Sequence, residues 1–326
     1  MDRIVFITRA TKDSGKGHFF RVLRMIEILS QTCDCVLVVD EDAITANSNF
    51  EFHPLNLKNP EALISELKLK SSDLLWFDVP DSQYKILESF SDLGFPLVST
   101  NMFEKLGEKR FENIAIYPVF ENYKKSILDK KTIQISGSDF ISVPKEFFYK
   151  DSKKKPQVLV SMGGTDPMGF TSLVLESISK LKNSIYVFKI ILPKGMNTLG
   201  DIGKYKACPH IKFHNFGDLN FANVLKSSEY AIINGGMTRY ECIAAKTFFI
   251  ALSIHDLQAE LTSKVTKYGL GFNFGVFNEQ KIESLSLLLS SLPLSVKKFT
   301  TANQMPLLKE NGAKWIYEKV IWELNN

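Results

Sequence analysis

Three short glycine-containing turns hold the residues best suited to chemistry in this 326-residue chain: Gly15-Lys16-Gly17-His18, Gly163-Gly164-Thr165 and Asn234-Gly235-Gly236-Met237-Thr238. Each sits between a short apolar run and an amphipathic segment. A glycine corner between strand and helix lets backbone approach a phosphate, and the helix N-terminus then offers unpaired N–H groups and partial positive charge. Taken singly, each is also the sequence of an ordinary tight turn; three in corresponding positions of two halves point to an anionic ligand. His18 adds a group that can take a proton from water or a hydroxyl near neutral pH, although a helix-start histidine can equally be satisfied by backbone. Glu241 falls one helical turn beyond Gly235-Gly236. A carboxylate there either accepts hydrogen bonds from the two ribose hydroxyls or is simply the acid that a first helical turn favours. Arg239 reads either as a phosphate partner or as a solvated side chain.

Other signals are weaker. The first turn lacks G-x-G-x-x-G spacing, and it is no P-loop, because Gly17 follows Lys16 and Ala10 stands where the first glycine is needed. Asp40-Glu41-Asp42 matches the D-x-D pair used for divalent metals in some glycosyltransferases, yet after a strand a solvated turn is the simpler reading. Asp78 and Asp81 flank Val79-Pro80 at another strand end, where one of them could face a cleft. His53, His210, His214 and His255 lack metal-ligand spacing. Pro209 and the strand-like Ile211-Lys212-Phe213 argue against one helix carrying His210 and His214. No metal and no cofactor are expected.

These residues need a scaffold, and the sequence alternates apolar runs with amphipathic segments throughout, the pattern of βαβ units and a parallel sheet. Strands are expected at Arg3–Thr8, Cys35–Asp40, Leu74–Asp78, Pro96–Ser99 and Ile114–Tyr117. Helices are expected at His18–Ser30, Pro60–Leu69 and Gln83–Leu93. Lys124–Lys155 is polar, and Lys153-Lys154-Lys155-Pro156 reads as a solvated linker. The pattern then restarts, with strands at Gln157–Ser161, Val187–Leu192, Ile211–Phe213, Tyr230–Ile233 and Phe248–Ala251. Helices follow at Thr171–Lys182, Leu219–Ser227, Arg239–Lys246, Leu257–Tyr268, Glu279–Ser291 and Gln304–Leu324. The expected architecture is α/β: two Rossmann-like doubly wound domains, 1–150 and 151–326, with the last helix left open to pack back on the first. Ligands of such sheets bind beyond the carboxyl ends of the strands.

Composition narrows the classes. Hydrophobic residues make up 44% and charged residues 23%, as in ordinary globular proteins. A net charge of +4 suits an anionic small molecule or an anionic surface. It is too small to argue for nucleic acid, and no basic run interleaves with aromatics. Cys33, Cys35, Cys208 and Cys242 lack C-x2-C spacing and read as reduced thiols, mostly core fillers, which implies a cytoplasmic setting. Cys33 and Cys35, two apart, would share one face of a strand. The apolar run near the start is too short for a signal peptide or a membrane span, and Leu285–Leu294 is broken by serines and a proline, so no transmembrane segment is expected.

Four stretches together resemble one family. Arg9–Leu29 is similar to the opening of the PseG/SpsG family, where an R-x-D segment leads to G-x-G-H-x-x-R and a helix. Val158–Pro167 is similar to its second signature, and Gly137–Phe147 resembles its interdomain pattern. Lys226–Glu241 resembles the nucleotide-binding region shared with MurG-type glycosyltransferases. The resemblance spans roughly residues 3–275. It implies the GT-B fold, two Rossmann-like domains facing a deep cleft, with UDP held mainly by the C-terminal domain. It also implies that His18 acts on water or an acceptor hydroxyl attacking the anomeric carbon, without metal; Asp78 is the second candidate catalytic residue. His18 and Arg21 match G-x-G-H-x-x-R, Glu241 the ribose-binding acid, and Gln258 the glutamine of an N-Q pair. Arg9, Gly17, Arg21, Gly163, Gly164, Thr165, Asn234, Gly235, Gly236, Met237, Thr238, Glu241 and Gln258 are the substrate- and nucleotide-binding residues so implied. The chain departs from the hydrolase twice: its D-H-Y segment is Asp78-Val79-Pro80 here, and Leu257 precedes Gln258. The implied activity is PseG-like hydrolysis of a UDP-linked amino sugar in surface-glycan biosynthesis of the pseudaminic acid type. Transfer of the sugar from UDP to a hydroxyl acceptor is the alternative, ahead of a non-catalytic nucleotide-sugar-binding protein.

Overall fold

A computed structural model describes residues 3–9, 17–39, 52–54, 59–100, 109–120, 131–148, 153–164, 166–193, 196, 202–215, 217–292 and 308–326. The chain divides into two units, Met1–Val143 with Leu307–Asn326, and Pro144–Pro306.

In the first unit the described strands are β1 (Arg3–Thr8), β2 (Asp34–Val39), β3 (His53–Pro54), β4 (Leu74–Asp78), β5 (Leu97–Thr100), β6 (Ile114–Tyr117) and β7 (Ile133–Ser136). They form one sheet in the order β3-β2-β1-β4-β5-β6-β7, and neighbouring strands run parallel. Helices cover both faces, so β4 (Leu-Leu-Trp-Phe-Asp) is buried along its whole length. Helix α1 (Gly17–Leu29) turns Phe19, Val22, Met25, Ile26 and Leu29 onto one face, at helical spacing, against Ile4, Phe6 and Trp76. Full burial of each such side chain stabilises the unit by about 2 kcal/mol. The C-terminal helix, Gly312–Asn325, joins the same cluster through Ala313, Ile316 and Val320. The helix expected from Gln304 starts only at Gly312: residues 308–311 are not helical, and 304–307 lie outside the described residues.

The opposite face holds helix α2 (Pro60–Leu67), whose start is fixed by Pro60 and by Asn59, which accepts from Ala62 N at 3.2 Å. The helix expected at Gln83–Leu93 is instead a 3-10 helix, Asp81–Leu87, followed by the single turn α3 (Glu88–Ser91). Tyr84, Leu87 and Phe90 are buried at intervals of three, and that spacing matches the 3-10 turn better than the α-turn. Strand β7 arises inside the polar stretch that offered no strand: Ile133 and Ile135 alternate there with polar residues.

In the second unit the described strands are β8 (Lys155–Ser161), β9 (Val187–Leu192), β10 (Ile211–Asn215), β11 (Ser228–Asn234), β12 (Phe248–Ser253) and β13 (Gly271–Val276), in the order β10-β9-β8-β11-β12-β13. The helices are α4 (Phe170–Ser179), α5 (Phe221–Ser227), α6 (Thr238–Ala244), α7 (Asp256–Thr266) and α8 (Ile282–Ser290). Strand β13 was not expected. In the run Lys153–Pro156 three residues are exposed as expected, but it is not a free linker: β8 starts at Lys155, and the half-buried Lys154 donates to Ala245 O at 3.0 Å and Thr247 Oγ1 at 2.7 Å.

Both sheets share the doubly wound order in which direction reverses beside the first strand. The reversal lies between β1 and β4 in the first unit and between β8 and β11 in the second. Among the described residues no helix is long and apolar enough to cross a membrane.

Candidate active site

At the first reversal the carboxyl ends of β1 and β4 lie side by side, with Thr8 in register with Asp78. The Thr8 hydroxyl donates to the Asp78 carbonyl at 2.8 Å, which fixes the backbone that presents the carboxylate. Helix α1 brings His18 and Arg21 over it, three residues apart and therefore on one face. His18 Nδ1 stands 2.7 Å from Asp78 Oδ1, and Arg21 Nε donates to Asp78 Oδ2 at 2.5 Å. A second guanidinium nitrogen of Arg21 reaches Oδ1, giving the two-pronged pairing that carboxylates bind most strongly.

Burial alone would raise the Asp78 pKa; the Arg21 guanidinium and the His18 contact outweigh it and hold the carboxyl below its ordinary range. The ionised Asp78 only accepts, so its contact with His18 is a hydrogen bond in the tautomer that carries the proton on Nδ1; Arg21 Nη2 also stands 3.1 Å from that nitrogen. The ring's remaining lone pair is then on Nε2. This is the arrangement of a base oriented by a buried carboxylate, here held ionised by an arginine. Arg9 follows β1 and is half-buried, and Gly17 opens α1 and is exposed. Gly15, Lys16 and the Asp40-Glu41-Asp42 segment lie outside the described residues.

At the second reversal the side chain of Asn234 ties the ends of β8 and β11 together. Its Nδ2 donates to Met162 O at 3.1 Å, and its Oδ1 accepts from Gly236 N at 3.3 Å. Gly163 beside it has φ +89°, a conformation that side-chain-bearing residues rarely adopt. Gly235 is required for a different reason: a Cβ there would stand 2.8 Å from both Gln258 Cγ and Ser253 Oγ. Gln258 in turn accepts from Ile254 N at 2.6 Å through Oε1. The structure therefore gathers Gly163, Asn234, Gly235, Gly236 and Gln258 at one corner, with Gly164 next in chain and Thr165 outside the described residues.

The two helices that follow these glycines differ. Asp166 takes the first amides of α4, accepting from Phe170 N at 2.9 Å and Thr171 N at 2.7 Å, so those N–H groups are already satisfied. Helix α6 has Met237 at its N-cap and begins at Thr238, with no side-chain cap. Glu241 lies in its first turn and is buried. Arg239 is not solvated: it is 1% exposed, donates to Gly235 O and stacks 4.6 Å above the Tyr240 ring. It braces the glycine corner from within the unit. Among the described residues no group of three or more His, Cys, Asp or Glu side chains could hold a metal ion.

No family model matches the chain. It is 24% identical over 304 residues to the spore coat polysaccharide biosynthesis protein SpsG of Bacillus subtilis, a match covering 86% of this chain and 87% of SpsG. The chain is SpsG-like and has the GT-B fold. Among solved structures, S. aureus MnaA in complex with UDP superposes with a TM-score of 0.67 at 12% identity, covering 100% of this chain and 97% of MnaA. Acinetobacter baumannii MurG does so with a TM-score of 0.64 at 12% identity, covering 98% and 99%.

Sequence reasoning missed several residues of this SpsG-like chain that set the corners. Thr8, at the last position of β1, carried a signal, since a polar residue ending an otherwise apolar buried strand needs a partner. Asp166 lies three residues ahead of the N-cap Gly169, outside the usual capping position, so its hold on the first amides of α4 had no sequence signal. The inward course of Arg239 had no signal, because only the packing of α6 makes room for it.

Proposed function

We propose that this SpsG-like chain cleaves a UDP-linked sugar at its anomeric carbon. His18 Nε2 takes a proton from water, the water oxygen bonds to the anomeric carbon, and the bond from that carbon to the diphosphate oxygen breaks, releasing UDP and free sugar. Asp78 orients the imidazole and stabilises the imidazolium that forms, and Arg21 keeps Asp78 ionised. In this scheme Arg21 acts on the carboxylate and only through it on the substrate. The corner from Asn234 to Thr238 receives the diphosphate, and Glu241 the ribose hydroxyls. The observation that carries the reading is the 2.7 Å contact between His18 Nδ1 and Asp78, which leaves Nε2 as the acceptor. The similarity to SpsG and the UDP bound by MnaA support the nucleotide and the setting in surface-polysaccharide synthesis.

A second reading, transfer to a hydroxyl acceptor, is favoured by Pro80 and Leu257, where the hydrolase pattern has tyrosine and asparagine, and by the likeness to MurG. Incubation with a UDP-sugar and no acceptor separates the two: release of reducing sugar together with UDP supports hydrolysis. Turnover that appears only when a hydroxyl acceptor is added overturns hydrolysis in favour of transfer.

A further inference from the structure

A small recess in the first unit is lined by Arg21, Asp78, Thr100, Ser142 and Ile316 among apolar side chains. It has room for about one water molecule. Ser142 is 4% exposed, and its Oγ is buried without a hydrogen-bond partner among the described residues. A buried hydroxyl left unbonded costs stability, so such groups bond to protein or to ordered water. The Thr100 hydroxyl accepts from Trp76 Nε1 at 2.9 Å and keeps its own proton to donate. Asp78 is contacted once by His18 and twice by Arg21, which leaves one of a carboxylate's roughly four acceptor sites. The lining thus holds one carboxylate and two hydroxyls, and a buried water needs about two to four polar partners. The backbone leading to Ser142 is held in place by the C-terminal helix, where a Cβ on Gly312 would collide with the Ile141 carbonyl.

We infer that Ser142 is a positioning residue for the His18–Asp78 pair, acting through one water held in this recess. The water donates a proton to Asp78 and completes its bonds with the Ser142 and Thr100 hydroxyls. A water-mediated bond of this kind is nearly as favourable as a direct one. It draws on the same negative charge that holds the imidazole, so Ser142 sets how firmly Asp78 holds His18. Ser142 acts on the carboxylate and only through it on the base, and its effect on turnover rests on the hydrolytic role proposed above for His18.

The test compares the full-chain wild type with Ser142→Ala and Ser142→Val. A high-resolution crystal structure of the wild type is expected to show one water within hydrogen-bond reach of Ser142 Oγ and Asp78; a dry recess overturns the inference. Ser142→Val puts a methyl group in that space and expels the water. The NMR resonance of the His18 Nδ1 nitrogen, read at fixed pH, should then move. Ser142→Ala, which removes one of the water's partners, should move it less and in the same direction. A purely structural Ser142 would lower the unfolding temperature and leave that resonance in place, and this outcome also overturns the inference. UDP release from UDP-N-acetylglucosamine should fall about fivefold in Ser142→Val at unchanged UDP affinity. If Ser142→Val fails to fold, Ser142→Ala and the wild-type water decide. The water and the imidazole resonance are read without ligand, so a wild type that releases no UDP counts against the proposed function and leaves this test intact.

Discussion

The two sheet reversals share a topology and differ in chemistry. The first collects charge: a buried carboxylate, a guanidinium and an imidazole meet at the end of β4, held by α1. The second collects backbone: glycines and side-chain amides meet at the ends of β8 and β11, and its one buried guanidinium turns inward onto a carbonyl. The same winding of strands presents an imidazole, a carboxylate and a guanidinium in one unit and glycine backbone in the other. What differs is the residue type at the strand ends and in the first helical turn.

That contrast can be broken most severely at His18. His18→Ala should cost UDP-sugar cleavage about 10³-fold, read as UDP release, with the unfolding temperature little changed; intact turnover would remove the proton-transfer role of the first unit. Asp78→Asn should come next. It leaves the Arg21 guanidinium buried without a counter-charge, and destabilisation by about 3 kcal/mol is expected in urea titrations. At the second corner the effect is steric. Gly235→Ala must displace Gln258 or Ser253, which should cost about 1–3 kcal/mol and weaken UDP binding without touching the His18–Asp78 contact. A Gly235→Ala protein that binds UDP as the wild type does would separate this corner from the nucleotide.

The smallest effects are pH slopes, which have the same sign in the two units and opposite causes. Asp78 has a folded pKa below its unfolded value of 3.8, so its stabilisation is present above about pH 3.8 and is lost as pH falls further. The stability difference between wild type and Asp78→Asn should therefore shrink in acid. Lys154 in the second unit is also lowered, but by burial of its charged form: to about 8 from 10.5, with Cys242 and Glu229 offsetting part of the effect. Between those values the unfolded chain binds more protons, so stability rises with pH. Relative to Lys154→Met, the wild type should gain stability from pH 8 toward pH 10.5 in equilibrium unfolding, and a flat difference would mean that this lysine is solvated.

The sequence alone determined the alternation of strands and helices, most strand positions and the three glycine turns, because buried parallel strands are apolar throughout and helix faces repeat at a fixed period. His18, Arg21 and Asp78 were each legible as residues of interest. Their meeting was not, because 57 residues separate Arg21 from Asp78 and only the pairing of β4 with β1 closes that distance. Tertiary packing also decided which glycines are sterically required, that Asp166 and not a ligand holds the first amides of α4, and that Arg239 points inward. It converted an expected α-helix at Gln83–Leu93 into a 3-10 turn, because burial at every third residue outweighs helix propensity. Local sequence reports what each segment prefers, whereas contact partners, burial and charge compensation come from segments far away in the chain.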